Sequence, residues 1–175
     1  MNTVQKKSSF LNHIKAFRNH YGNDLIILLA RIGLATTFWL SGQSKVDGLK
    51  VNVLGGPPLT LGWPEISSGA VSLFKDEHCL PFIPPTITAI MAAGAEHLFS
   101  FLIIIGLATR ISAAGLLAMT IVIEIFVYPE AWPTHTIWAC AALVLIFHGA
   151  GKISLDTLVL RSVQKNKSRR IRHLP

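Results

Sequence analysis

Charge is scarce in this sequence. Of its 175 residues 14% are Asp, Glu, Lys or Arg, while 51% are hydrophobic. A soluble domain of this length needs a charged surface that so few groups cannot supply. Cysteine is nearly absent, with Cys79 and Cys140 as the two examples. One falls in a loop and the other inside an apolar run, at different depths, so no disulfide between them is expected. The chain holds no C-x-x-C pair and no spacing suited to structural zinc, haem or an iron–sulfur cluster. A phosphate loop, a G-x-G-x-x-G fingerprint and a nucleophile elbow are missing too. No metal or intrinsic cofactor is therefore expected. If electrons move, a diffusible quinone or another protein carries them.

What the chain does have is long apolar runs. Four of them, about 25–43, 86–106, 111–128 and 134–151, each hold roughly 18–21 residues, enough at helical rise to cross a hydrocarbon core. Backbone polar groups find no water there, so each run must satisfy its own N–H and C=O groups as a helix. The sequence thus predicts an all-α membrane protein, a four-transmembrane-helix bundle over 25–151. Phe10, Leu11, Ile14, Phe17 and Tyr21 recur at helical spacing between Lys15, Arg18, His13 and His20. That pattern predicts an interfacial amphipathic helix within a cytoplasmic segment 1–24. The first run reads as a retained helix, not a signal peptide, because Arg31 interrupts it and no A-x-A-like site follows.

The punctuation between runs is informative. In "VYPEAWPTHTIWA" Pro129 and Pro133 stop one helix and start the next, Thr134 can cap the fourth span, and Tyr128, Trp132 and Trp138 carry rings suited to the lipid boundary. The 44–85 loop is long, and its "PEISSGAVSLFKDE" predicts a short helix from Pro64 with Ile66, Gly69, Ala70 and Leu73 toward the protein. In "HGAGKISLD" Gly149 and Gly151 end the fourth span and Ser154 starts a surface helix. Gly94, Ala114 and Ala118 are candidates for close helix packing.

Of the 16 Lys and Arg residues, four lie in the first 24 positions and seven in the basic tail 152–175. Arg110 joins them in the short loop on the same side. The opposite side carries Lys45, Lys50 and Lys75 against five acidic residues. The positive-inside rule puts both termini in the cytoplasm. It also gives the net charge of +7 a plain use, contact of the tail with anionic headgroups and not with nucleic acid.

Polar groups inside spans are costly and should face the bundle interior. Arg31, Glu96, His97, Glu124, His135 and His148 qualify, with Trp138 beside His135 on one helix face and Lys45, Arg110 and Cys79 as secondary candidates. By depth an Arg31–Glu96 ion pair is expected, with His148 near the level of Arg31. A second cluster of Glu124, His135 and Trp138, with Lys45 at the same level, is expected near the outer face. A glutamate there can orient the imidazole and favour proton uptake.

At this point the residues suggest a family. "RIGLATTFWLSGQSKV", "AAGAEHLFSFLIIIGLATRISAAGLL", "VIEIFVYPEAWPTHTIWA" and "HGAGKISLD" together resemble the DoxX family of small four-helix bacterial membrane proteins, over roughly 25–160. Ser100 stands where that family often has proline, and Glu124 where glutamine is frequent. The resemblance implies a bacterial inner-membrane protein and, for some members, thiosulfate- or quinone-linked redox chemistry and thiol homeostasis. Three functions follow as expectations. One is a membrane partner of a soluble or membrane oxidoreductase system, with a bound quinone. Another is a carrier of a small solute or anion. The last is a structural subunit without chemistry of its own, a homo-oligomer being compatible with each.

Overall fold

A computed structural model describes residues 22–51, 59–76 and 83–172, with side chains through residue 165. The expected amphipathic helix within 1–24 lies outside these residues up to position 21, and so does Cys79. Among the described residues four helices are long and apolar enough to cross a membrane: α1 (Asn23–Ser44), α3 (Pro85–Ile105), α4 (Thr109–Phe126) and α5 (Trp132–His148), the last preceded by a 3-10 turn, Pro129–Ala131. A third or less of each span is buried inside the protein. The rest is an apolar exterior, with Leu25, Leu29, Phe101, Ile121, Ile125, Ile137 and Phe147 among its exposed residues, and lipid is the solvent that suits it. The four spans are the transmembrane helices of a multi-pass membrane protein.

The bundle closes in the order α1, α3, α4, α5, with α5 returning to α1. Its dry centre is Leu34, Ala35, Phe38, Ile103, Ala113, Leu116, Ala142 and Leu145. We call the side on which α1 begins and α5 ends the terminal face, and the side on which α1 ends and α3 begins the loop face. On the loop face lie two short antiparallel pairs, β1 (Val46–Asp47) with β4 (Glu65–Ile66) and β2 (Lys50–Val51) with β3 (Leu59–Thr60), followed by helix α2 (Ser68–Asp76). The expected helix from Pro64 therefore starts later. Glu65 and Ile66 are recruited as a strand by β1, and Ser67 caps the helix, accepting from Ala70 N–H through its hydroxyl at 3.1 Å. Its buried residues are Ala70 and Phe74, and Gly69 is exposed.

Helix ends explain the terminal face. α3 closes on Gly106 in the left-handed region (φ 70°), with Gly106 N–H donating to Ile103 at 3.1 Å and Leu107 N–H to Leu102 at 2.9 Å. This is the paired pattern of a Schellman stop. Asp156 then caps α4 from a distance, accepting from Ala108 N–H (2.8 Å) and Thr109 N–H (3.1 Å). Gly149 and Gly151 both adopt positive φ and end α5, and the Ser154 hydroxyl accepts from Thr157 N–H at 3.2 Å as α6 (Leu155–Arg172) begins.

Three expectations need correction. Thr134 is not the cap of the fourth span: the helix begins at Trp132, with a proline in its first turn and no side-chain cap. Gly94, Ala114 and Ala118 are exposed, and a Cβ on Gly94 would meet nothing within 4 Å. Close packing instead uses Ala93 and Ala113, both buried, and Gly42, where a Cβ would lie 2.7 Å from the His97 ring. Trp138 turns inward, edge-to-face with Phe38 at 5.5 Å, while Trp132 stays exposed.

Candidate functional site

The expected Arg31–Glu96 pair does not form. Arg31 is buried and its hydrogen bonds all go to carbonyls, with the Asp156 carboxylate acting on it through charge: Nε donates to Ile103 (2.9 Å), Nη2 to Ile104 (2.6 Å), and Nη1 to Ala150 (3.1 Å) and Ile153 (2.5 Å). The reason is register. Antiparallel packing sets Arg31 opposite the C-terminal turn of α3, whose last carbonyls have no partner within the helix and carry its negative dipole end. Glu96 stands seven residues away on α3, about 10 Å by helical rise.

Glu96 faces Lys45 instead. Lys45 ends α1 and folds back, its Nζ donating to Glu96 Oε1 (3.0 Å), Ser41 Oγ (2.9 Å) and the Ser41 carbonyl (3.2 Å). Oε2 lies 3.0 Å from the same ammonium, and Ser41 Oγ donates to Oε1 at 2.9 Å. Both charged groups are buried, Glu96 almost completely. Lys45 is thus the direct partner of the deepest carboxylate. Ser41, which the sequence reading passed over, is the third member; the signal was its i, i+4 spacing to Lys45 on one helix face.

His97, the next residue, also meets α1, at Gln43. Gln43 Oε1 accepts from Val51 N–H at 2.9 Å, so Gln43 Nε2 is the donor toward His97 Nε2 at 2.8 Å. The imidazole then carries its proton on Nδ1, donating to the Ala93 carbonyl at 2.7 Å, and its ring meets Trp39 edge-on at 5.0 Å. His97 is fully engaged and stands outside the cavity described next.

The cluster expected from Glu124, His135 and Trp138 is assembled. Glu124 accepts from His135 Nδ1 at 2.5 Å, and the imidazole sits 4.9 Å from the Trp138 ring. His135 is buried, whereas about a quarter of the Glu124 side chain (28%) remains exposed. A carboxylate on Nδ1 fixes the ring and leaves Nε2 as the nitrogen open to a ligand.

Both clusters border one cavity of about 550 Å³ in the loop-face half of the bundle. Ser41, Lys45 and Glu96 form one polar wall and His135 another. Between them the lining is mainly apolar, including Phe38, Met91, Met119, Val122 and Ile123, with Leu73 and Phe74 of α2 covering it. Arg31, His97 and Glu124 do not line it. His148 and Arg110 are exposed near the terminal face, bonding the carbonyls of Val144 (3.1 Å) and Phe147 (3.3 Å), so the expectation that His148 faces the interior is corrected. His148 is the last residue of α5, and a histidine at a helix end reaches water more cheaply than it desolvates. Cys140 is an exposed free thiol on α5.

Fold and cavity define a class: a four-helix integral membrane protein with an amphipathic pocket inside the spans. A family model for DoxX matches residues 26–129, and the chain belongs to that family. It is also 31% identical over 160 residues to an uncharacterized protein of Haemophilus influenzae, an alignment covering 84% of this chain and 91% of the relative. No solved structure matches the chain. The family match ends at the close of α4, so α5 with His135, and the cap residue Asp156, lie beyond it.

Proposed function

We propose that this DoxX-family protein is a membrane partner in quinone-linked redox chemistry, and that its cavity is where the quinone binds. The observation carrying this reading is one mostly apolar space with polar groups at two walls. Its volume lies in the ordinary range of small-molecule sites, roughly 300–1,000 Å³. A neutral ring with carbonyl oxygens suits such a lining. Lys45, Ser41 and Glu96 make one wall polar while their donors are engaged with one another, and His135 offers Nε2 at the other, its orientation set by Glu124.

Charge weighs against the anion-carrier and thiosulfate readings. The one ammonium at the cavity is already held by Glu96, and Glu124 stands behind His135, so an added anion would meet two carboxylates. Arg31, the other buried cation of the spans, spends its donors on four carbonyls and does not line the cavity. The thiol-linked version has Cys140 on an exposed helix face, away from the cavity. We also assign the protein to the bacterial inner membrane with both termini cytoplasmic, on the basic residues of the terminal face. An oxidoreductase, soluble or membrane-bound, is the partner on the quinone's path.

The test is purification in native lipid followed by mass spectrometry of extracted small molecules. Stoichiometric quinone is expected from the wild type, falling at least tenfold in His135→Ala, which leaves the Lys45–Glu96 pair intact. Absence of quinone from the wild type, together with no saturable binding of added quinone, overturns the reading.

A further inference from the structure

The most exposed large apolar side chains among the described residues are not on the spans. Trp63 is 84% and Leu61 79% exposed, and Leu59 is 51% exposed. They alternate with Thr60, Gly62 and Pro64 on the return arm of the loop-face ribbon. Such a row left in water is unfavourable, so its surroundings need to be identified.

Two contacts tie this arm to the end of α1. Val46 and Asp47 pair with Ile66 and Glu65, and Ser67 N–H donates to the Lys45 carbonyl at 3.0 Å. Gly48, at φ +86°, sits so close to Trp63 that a Cβ there would lie 2.0 Å from its carbonyl oxygen. Gly48 follows Lys45 by three residues, a reach of at most about 11 Å. The Trp63 backbone is therefore held a short distance above the end of a membrane span. The headgroup zone on each side of the hydrocarbon core is about 5–7 Å thick, and an indole has the length to reach back into it. Charge fits the same place. Lys50 is closed on Asp47 at 3.0 Å, leaving Glu65 and no basic cluster, so anionic lipid offers no advantage.

We propose that Leu59, Leu61 and Trp63 form a shallow membrane anchor, seated at the headgroup–acyl boundary of the leaflet on the loop face, in zwitterionic lipid. Insertion stops at that depth because residues 61–64 are outside the strand pairs, and unpaired backbone does not enter hydrocarbon. The same arm continues through Ile66 into α2, whose Leu73 and Phe74 cover the cavity. The anchor thereby holds that cover against the bilayer. The proposal is independent of what the cavity binds.

The test compares the full chain with Trp63→Phe in phosphatidylcholine nanodiscs, so that the difference in fluorescence isolates Trp63. Trp63 is exposed, and the variant keeps the fold. Lipids brominated near the headgroup end of the acyl chain should remove most of the Trp63 signal. Lipids brominated near the chain terminus should remove much less, aqueous iodide should have little effect, and added phosphatidylglycerol should change nothing. In Gly48→Ala the arm is displaced, and quenching should shift from bromine toward iodide. A Trp63 signal quenched by iodide but not by bromine overturns the anchor. So does a signal shielded from both, which would mean that a second copy or another protein covers the arm.

Discussion

Arg31 and Lys45 illustrate how a membrane interior treats two cations differently. The planar guanidinium of Arg31 forks across four carbonyls from two chain segments, which a point-like ammonium cannot reproduce. Arg31→Ala removes a donor from each of four carbonyls, of which Ile103 keeps the Gly106 N–H, and should cost on the order of 3 kcal/mol, read as unfolding in mixed micelles. Arg31→Lys should recover only part of that loss, and quinone retained per folded molecule should be unchanged in both, because Arg31 does not line the cavity. Lys45 is neutralised by one buried carboxylate. Glu96→Gln strands the ammonium and should destabilise by roughly 3–5 kcal/mol, whereas the joint change Lys45→Met with Glu96→Leu should be close to neutral. A double-mutant cycle measured by thermal unfolding checks this. If Glu96→Gln is as stable as the wild type, the pair is not holding α1 to α3.

At the scale of elements, the terminal face is built from caps. The "GLATR" turn ends α3 at Gly106, starts α4 through Ala108 in the left-handed region, and is held by Asp156 from 48 residues away. Asp156→Ala should cost about 1 kcal/mol, the usual loss when an N-cap goes, and should speed hydrogen exchange at the first amides of α4. α1 meets Asp156 through the charge of Arg31 and not through a cap, so its exchange should change less than that of α4. Gly106→Ala should be worse. It strains a positive φ, and its Cβ would lie 2.6 Å from the Cβ of Ser154 and 2.8 Å from Arg31 Nη2.

For the whole molecule, the consequential property is sidedness. The start of α1 and the end of α5 share a face with Arg110 and Lys152, and the ribbon and α2 lie on the other. With the native cysteines replaced, Ser72→Cys on α2 should react with a membrane-impermeant maleimide in intact cells. Ser162→Cys on α6 should react only after permeabilisation. The reverse pattern would invert the assignment of the basic face to the cytoplasm.

How much of this was legible in the sequence follows from the range of the forces involved. Hydrophobic length, proline punctuation and the Gly149 and Gly151 stops act locally, and they determined four spans, their connections and their shared side. The closeness of Glu124 and His135 was also readable, because a short turn joins their helices and fixes them at one depth. Which face of each helix turned inward was not readable. The spans are apolar nearly all round, so no stripe told Ala93 from Gly94, or showed that His148 would stay outside. Partnership was decided only by tertiary register. Depth alone allowed Arg31 to meet Glu96, but antiparallel packing set the guanidinium against helix-end carbonyls and left the carboxylate to Lys45 and Ser41. The amino-acid order thus determined where the chain crosses the membrane. The packed bundle decided which polar groups meet there, because desolvated charges pair with whatever the neighbouring helix presents at their level.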